Sequence, residues 1–283
     1  MNILVTGGAG FIGTNLINRL VKEGHKVFSL DDYSTGNVNN HNKEALYMHS
    51  SVTSFDFNHY PNKIDLIFHL AAFSRIQPSF NHPIKTFSDN VVGTVTILEY
   101  AKKNNIKVIY AGSCSKWHDP TDSPYASSKF LGEEVCRMYR NAFDVNVEIA
   151  RFYNVYGPYE SLDINNGNVI GIWRKLVELN KPLTIVGDGQ QRRDFIHVDD
   201  VVDGLYKIAL SKQKHEDAWE LGTGKNYSII ELYNFFKQRF SSNRINVPDQ
   251  KGNYRETLLV NNDAEKKLKW KPEDRLKEYI LNL

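Results

Sequence analysis

The hydrophobic pattern switches between two periods along the first half of the chain. Residues 2–6 are a short apolar run closed by Gly7-Gly8, as expected of a buried parallel strand. From Phe11 to Val21 the apolar positions Ile12, Leu16, Ile17 and Leu20 recur at helical spacing. Gly24 punctuates, and Val27 to Leu30 is a second strand. Residues 64–70 and 106–111 read as strands with a helical period over 84–103 between them; 124–142 reads as a helix and 145–150 as another strand. Alternating strands and helices make βαβ units with right-handed crossovers. The pattern therefore predicts an α/β fold with a doubly wound parallel sheet over 1–160. Beyond Gly157-Pro158 the strands shorten, and helical periods fall near 168–179, 199–211, 228–240 and 262–269. This predicts a smaller, interwoven α/β domain over 161–283, with 190–222 partly returning to the first. A ligand is expected in the cleft between them.

Composition narrows the function. With 41% hydrophobic and 24% charged residues, the 283-residue chain can bury a core. Thirty-five Lys and Arg against 33 Asp and Glu leave a net charge of +2, without the basic stripe of a nucleic-acid binder. The nine His show no metal-ligand spacing, so no metal is expected. Two cysteines, Cys114 and Cys136, imply no disulfide framework. No run reaches the roughly 18 apolar residues of a membrane span, and the N-terminus lacks a signal-peptide pattern. A soluble, cytoplasmic protein is expected.

Three motifs carry chemistry. Gly7, Gly10 and Gly13 lie between the first strand and its helix. The first Gly permits a tight turn, the second lets a pyrophosphate approach the backbone, and the third lets helix pack on strand. The helix N-terminus, with Phe11 and Ile12, offers unpaired N–H groups. This predicts a Rossmann domain. The second strand ends in Asp31-Asp32, where a carboxylate accepts the adenosine ribose hydroxyls and repels a 2′-phosphate, favouring NAD over NADP. In Ser123-Pro124-Tyr125-Ala126-Ser127-Ser128-Lys129, Ser123 is a good N-cap and Pro124 a good first helical residue. Tyr125 and Lys129 then share a helix face, and the ammonium is expected to lower the phenol pKa into the working range for proton transfer. Ser113, at the end of a strand, is the candidate hydrogen-bond partner of the reacting oxygen. Cys114 has no activating base placed by any motif and reads as inert.

With these motifs the chain resembles the extended short-chain dehydrogenase/reductase family, in particular nucleotide-sugar 4-epimerases of the UDP-glucose (UDP-galactose) 4-epimerase type. Further markers are His69-Leu70-Ala71-Ala72, Asn90-Val91-Val92-Gly93-Thr94, Arg151-Phe152-Tyr153-Asn154-Val155-Tyr156-Gly157-Pro158, Arg193-Asp194-Phe195-Ile196-His197 and Gly222-Thr223-Gly224. The resemblance implies that Asp31, Asp32, Ser34, Thr35 and Gly36 surround the adenosine, with Ser51 and Val52 near the adenine. It implies that Leu70, Ala71, Ala72 and Asn90 line the pyrophosphate and nicotinamide side, and it counts Tyr153 among the NAD contacts. Ser113, Tyr125 and Lys129 match the catalytic trio. Asn154, Asn168, Val169, Thr184 and Arg193 match positions that hold the nucleotide of a nucleotide-diphosphate sugar. The family's usual homodimer would form through helices 84–103 and 124–142, where Thr94, Ile97, Leu98 and Ala101 form a stripe that faces either a partner or the chain's own core.

The chain also departs from the family. Ser50-Ser51-Val52 replaces an adenine-contacting Gly-Asp-Ile/Val, and Lys116-Trp117-His118 replaces Val-Tyr-Gly. The loop from Ser113 to Tyr125 is shortened, which could open the site or hand its wall to another segment. Gln250-Lys251-Gly252-Asn253 stands where Arg-x-Gly-Asp is usual, leaving Arg255 as a substitute for the diphosphate, and Val186 replaces a stacking aromatic. Related 4,6-dehydratases carry Asp-Glu, and decarboxylases commonly a Glu, where this chain has Cys114-Ser115. Reversible oxidation at C4 of a nucleotide-diphosphate hexose is therefore expected. A 4-reductase or dehydrogenase with net redox change is the alternative, and a non-catalytic dinucleotide binder a remote one. Thr257, small where some relatives have Tyr, predicts room for an N-acetyl group at C2.

Overall fold

The computed structural model describes residues 1–57, 63–165 and 167–283. Its first half runs β1 (Asn2–Thr6), α1 (Phe11–Lys22), β2 (Lys26–Asp31), β3 (Leu46–His49), β4 (Leu66–His69), α2 (Ile76–Asn81) and α3 (Pro83–Phe87). A π-helical turn at Ser88–Val92 leads into α4 (Gly93–Asn104), then β5 (Lys107–Ser113), α5 (Pro124–Phe143) and β6 (Val147–Phe152). The remainder is β7 (Asn154–Tyr156), α6 (Val169–Glu178), β8 (Leu183–Val186), β9 (Arg192–His197), α7 (Val198–Leu210), β10 (Trp219–Leu221), β11 (Asn226–Ser228), α8 (Ile229–Phe240), β12 (Arg244–Val247), α9 (Asp263–Leu268) and α10 (Leu276–Leu281).

Seven strands form the main sheet in the order β10-β6-β5-β4-β1-β2-β3, with every neighbouring pair parallel. The period of two in β1 explains its burial. Ile3 and Val5 pack among Leu16, Ile17 and Leu20 of α1 and Val201, Leu205 and Ile208 of α7, whereas Leu4 points to the opposite face with Ile97, Leu98 and Ala101 of α4. Helices thus cover both faces. The winding reverses between β1 and β4, which opens a crevice at the carboxyl ends of those strands.

The stripe on α4 packs on the chain's own sheet: Thr94, Ile97, Leu98 and Ala101 are at most 1% exposed. It is not a subunit contact. The helical period over 84–103 is also broken in two by the π turn. There Asn90 turns inward and bridges Phe73 and Ser128, a side-chain demand that an uninterrupted helix would not meet.

A smaller sheet, β11-β9-β7, and the pair β12-β8 build the second part around Trp173, Phe195, Phe236 and Leu276. Residues 192–197 of β9 also hold the extended stretch 255–257 (Arg192 N–H to Arg255 O 2.8 Å, Thr257 N–H to Arg192 O 3.0 Å). Among the described residues no helix is long and apolar enough to cross a membrane.

Candidate active site

The Gly turn sits at the mouth of the crevice. Gly7 has φ +71°, and a Cβ there would lie 2.8 Å from the Ala71 nitrogen. At Gly13 a Cβ would lie 2.1 Å from the Gly7 carbonyl oxygen, so any side chain would force α1 off the turn. The first turn of α1 carries no acidic residue, and its N-cap Gly10 offers no side chain. The N–H groups of Phe11, Ile12 and Gly13 therefore lack intrahelical carbonyls and present positive potential to an anion. Asp31 ends β2 and folds back over the turn. Its carboxylate accepts the Ala9 N–H (2.9 Å) and the Tyr33 N–H (2.8 Å). Burial raises its pKa, against the pull of those two bonds. Gly36 packs on this carboxylate, and Asn37 N–H donates to the Ala9 carbonyl, so 31–37 wraps the turn. Asp32 accepts Ser34 N–H (2.9 Å) and Oγ–H (2.6 Å) and pairs with Lys85 (3.3 Å); these outweigh its partial burial and lower its pKa. Thr35 is exposed beside them. A cradle that a Cβ would fill, an uncapped helix start and a carboxylate one strand away fit a dinucleotide with free ribose hydroxyls.

Beyond the turn, Val52 packs against Gly93, while the Ser51 hydroxyl bonds those of Thr53 (3.0 Å) and Ser54 (2.7 Å). Leu70, Ala71 and Ala72 leave β4 along the crevice, held by a relay not recognised in the sequence. Ala71 N–H donates to Thr6 Oγ1 (3.2 Å), whose hydroxyl donates to His69 Nδ1 (2.7 Å). His69 Nε2–H then donates to Thr94 Oγ1 (3.1 Å), and that hydroxyl donates to Asn90 O (2.7 Å). The donors fix one imidazole tautomer. Burial, with Lys129 nearby, lowers the His69 pKa to about 3, so the ring stays neutral. Asn90 has its side chain spent on Phe73 (2.6 and 3.0 Å) and Ser128 (2.8 Å); it shapes the wall from behind.

At the floor, Tyr125 Oη–H donates to Ser113 Oγ (3.3 Å), which also accepts Ser115 N–H (3.2 Å). Ser123 caps α5 as expected, its Oγ accepting Ala126 N–H (3.1 Å). The electrostatics differ from the expectation. Lys129 is not among the groups that act most strongly on Tyr125. Its ammonium is turned beneath the site, donates to Ala111 O (2.5 Å) and lies 4.8 Å from the Tyr110 ring centre. Burial lowers its own pKa to about 8. Tyr125 is raised above its ordinary value by burial; the Ser113 bond and the guanidinium of Arg75, a residue the motifs did not single out, pull it back.

Behind the site, Arg151 is fully buried and pairs with Glu133 (2.7 Å), Glu220 (2.9 Å) and Asp217 (2.6 Å). Tyr153 donates its hydroxyl to Glu220 (2.7 Å) and accepts Val260 N–H, so this phenol belongs to that scaffold. The short 113–123 segment, two turns of 3-10 helix, is pinned through the three residues that depart from the family. Lys116 pairs with Glu134 (2.8 Å), Trp117 donates to Glu220 (3.2 Å), and His118 stacks on Tyr254 (ring centres 3.8 Å, 5°). Burial pushes the Cys114 thiol up to about 12, in keeping with an inert neighbour.

On the far side, Asn154 donates to Asp194 O (3.2 Å) and to Thr257 Oγ1 (2.9 Å). Thr257 helps line a cavity of about 210 Å³ with Cys114, Trp117, His118, Tyr153, Glu256 and Leu258. Arg193 donates to Asn253 Oδ1 (2.6 Å) and to Arg192 O (2.8 Å). Asn168 is the N-cap residue of α6 but donates to Val155 O (3.0 Å); Val169 starts that helix, and Thr184 on β8 accepts Trp173 Nε1–H (2.9 Å) through its carbonyl. Arg255 is not turned inward: it is largely exposed and pairs with Asp188 (3.3 Å). Asp194, fully buried, accepts N–H groups of Thr223, Gly224 and Leu259 and clamps the strands of the two parts together.

A switch-point crevice with a Gly cradle and a Tyr–Ser–Lys floor defines a dinucleotide-dependent enzyme acting on a carbinol or carbonyl centre. The chain belongs to the NAD dependent epimerase/dehydratase family, whose model matches residues 3–222, and its cofactor is NAD. It is 33% identical to a putative UDP-glucose 4-epimerase of Methanocaldococcus jannaschii, over 98% of this chain and 95% of that protein. It is 30% identical to UDP-glucuronic acid decarboxylase 2 of Arabidopsis thaliana, over 86% of this chain and 58% of the relative. Among solved structures, UDP-glucose 4-epimerase of Thermotoga maritima with UDP-glucose superposes with a TM-score of 0.92 at 27% identity, covering 99% of this chain and 96% of that one.

Proposed function

We propose that the protein inverts C4 of a nucleotide-diphosphate hexose, a UDP-sugar, through a transient 4-keto sugar. The observation that carries this reading is the Tyr125–Ser113 hydroxyl pair at 3.3 Å at the foot of the crevice, followed by Cys114-Ser115 and no carboxylic acid. Such a floor can move a hydroxyl proton, and positions 114 and 115 supply no acid or base for expelling water or assisting decarboxylation.

NAD supplies the acceptor and donor of the hydride that C4 loses and regains. Tyr125, as phenolate, takes the O4 proton while Ser113 hydrogen-bonds O4. Lys129 beneath and Arg75 beside the phenol favour its ionised form. The flat 4-keto sugar turns while the nucleotide half stays held by Arg193 and the Asn154–Asn168 side of the cleft. Tyr125 then returns the proton to O4 on the opposite configuration. The 210 Å³ cavity at Thr257 supports tolerance of an N-acetyl group at C2. A homodimer through the outer faces of α4 and α5 is supported by exposed Leu131 and Met138, seven residues apart on α5.

Incubation with UDP-glucose, UDP-galactose and their N-acetyl counterparts, with the epimers separated by chromatography, tests the reading. Inversion without accumulation of NADH at 340 nm is expected. Stoichiometric NADH release favours a dehydrogenase instead.

A further inference from the structure

We propose that Tyr254 contacts the sugar, its phenol hydrogen-bonding a hexose oxygen next to the reacting carbon, and that His118 is the positioning residue that holds it there. The inference rests on the site being a nucleotide-sugar redox centre.

The segment 113–123 is too short to wall the sugar side of the crevice alone, and a second segment reaches it. Gly252 makes this approach with φ +73°; a Cβ there would lie 3.1 Å from Ile76 Cγ2 and 3.3 Å from the Asp122 carbonyl. Three and five residues on, Arg255 and Thr257 are tied to β9. Tyr254 is fixed between these anchors. Its ring is 9% exposed and lies parallel to His118, with ring centres 3.8 Å apart. Its hydroxyl is buried and has no hydrogen-bond partner among the described residues.

A buried phenol oxygen left without a partner is unfavourable, and a bound ligand removes that penalty. Its neighbours place it beside the reaction centre: His118, on which it stacks, lines the cavity with Cys114 and Thr257, and the preceding Asn253 accepts a hydrogen bond from Arg193. Tyr125 and Ser113 serve O4, and Arg193 suits the diphosphate. The oxygens left for Tyr254 near C4 are the hydroxyl on C3, directly next to it, and that on C6, carried by the other neighbour, C5. A neutral hydroxyl that both donates and accepts suits a sugar hydroxyl better than an anion. Burial raises the Tyr254 pKa and lowers that of His118, so a neutral imidazole stacks on a neutral phenol.

The test compares Tyr254→Phe with the unsubstituted holoenzyme. Expected are a drop of about tenfold in kcat/KM for the UDP-hexose, unchanged binding of free UDP and unchanged NAD content. His118→Ala is expected to share the loss and His118→Phe, which keeps the stack, to recover most of it. Equal kcat/KM for Tyr254→Phe and the parent overturns the inference, as does an equal weakening of free UDP. Should the parent invert no hexose, the epimerase reading fails by itself; calorimetric binding of UDP-glucose against UDP to the same two proteins then decides for or against Tyr254.

Discussion

Tyr125 reaches its working state through more groups than a Tyr-x-x-x-Lys spacing shows. In the chain alone burial raises the phenol pKa while Ser113 and Arg75 pull it back, and Lys129 is bonded to Ala111 O beneath the site. Tyr125→Phe should lower kcat by roughly 10²- to 10⁴-fold while NAD content and melting temperature stay as they are; turnover within a few-fold of the parent would remove Tyr125 from the mechanism. His69 makes a separate prediction about stability. Its folded pKa is about 3 against 6.5 for the free side chain, so below pH 6.5 the unfolded chain binds a proton that the folded one refuses. Stability is then lost as pH falls from 6.5 toward 3, by about 2 kcal/mol between pH 7 and 5. In a His69→Gln protein this contribution vanishes, so its melting temperature, lower at pH 7, should converge on that of the parent at pH 5. A constant gap would show that the ring is not held neutral.

At the scale of elements, the cradle is the most constrained piece. A methyl at Gly13 would sit 2.1 Å from the Gly7 carbonyl, and neither partner can yield without moving α1. Gly13→Ala should therefore abolish copurification of NAD and cost about 1–3 kcal/mol of stability; retained NAD with unchanged melting would contradict the geometry. The long elements were legible because their periods are unambiguous: β1, α1, α5 and α7 fall within a residue or two of the pattern. Others were not, for physical reasons. Neither β3 nor β12 fully buries a residue, α2 and α10 span only six residues each, and the π turn at Ser88–Val92 answers a tertiary demand by Asn90. Site residues on a motif, such as Ser113 and Tyr125, could be found from spacing. Arg75, Tyr254 and the His69 relay could not, because their roles arise from chain segments far apart in sequence. Lys116-Trp117-His118 could be seen as a departure, but not that it pins a shortened wall.

For the whole molecule, the proposed homodimer would use the outer face of α5, where Leu131 and Met138 are exposed while the α4 stripe is buried. A Leu131→Glu/Met138→Glu protein should elute as a monomer where the parent elutes as a dimer; an unchanged mass would place any dimer elsewhere. Both parts of the chain meet at Asp194, Asn154 and Thr257. In the proposed mechanism the sugar turns there while its nucleotide stays bound, and the hydrogen at C4 leaves and returns within the same site. The decisive measurement is conversion of UDP-hexose carrying deuterium at C4, followed by mass and NMR analysis of both epimers. The account predicts inversion with the deuterium retained at C4. Inversion with washout of the label into water, or no inversion, would contradict it.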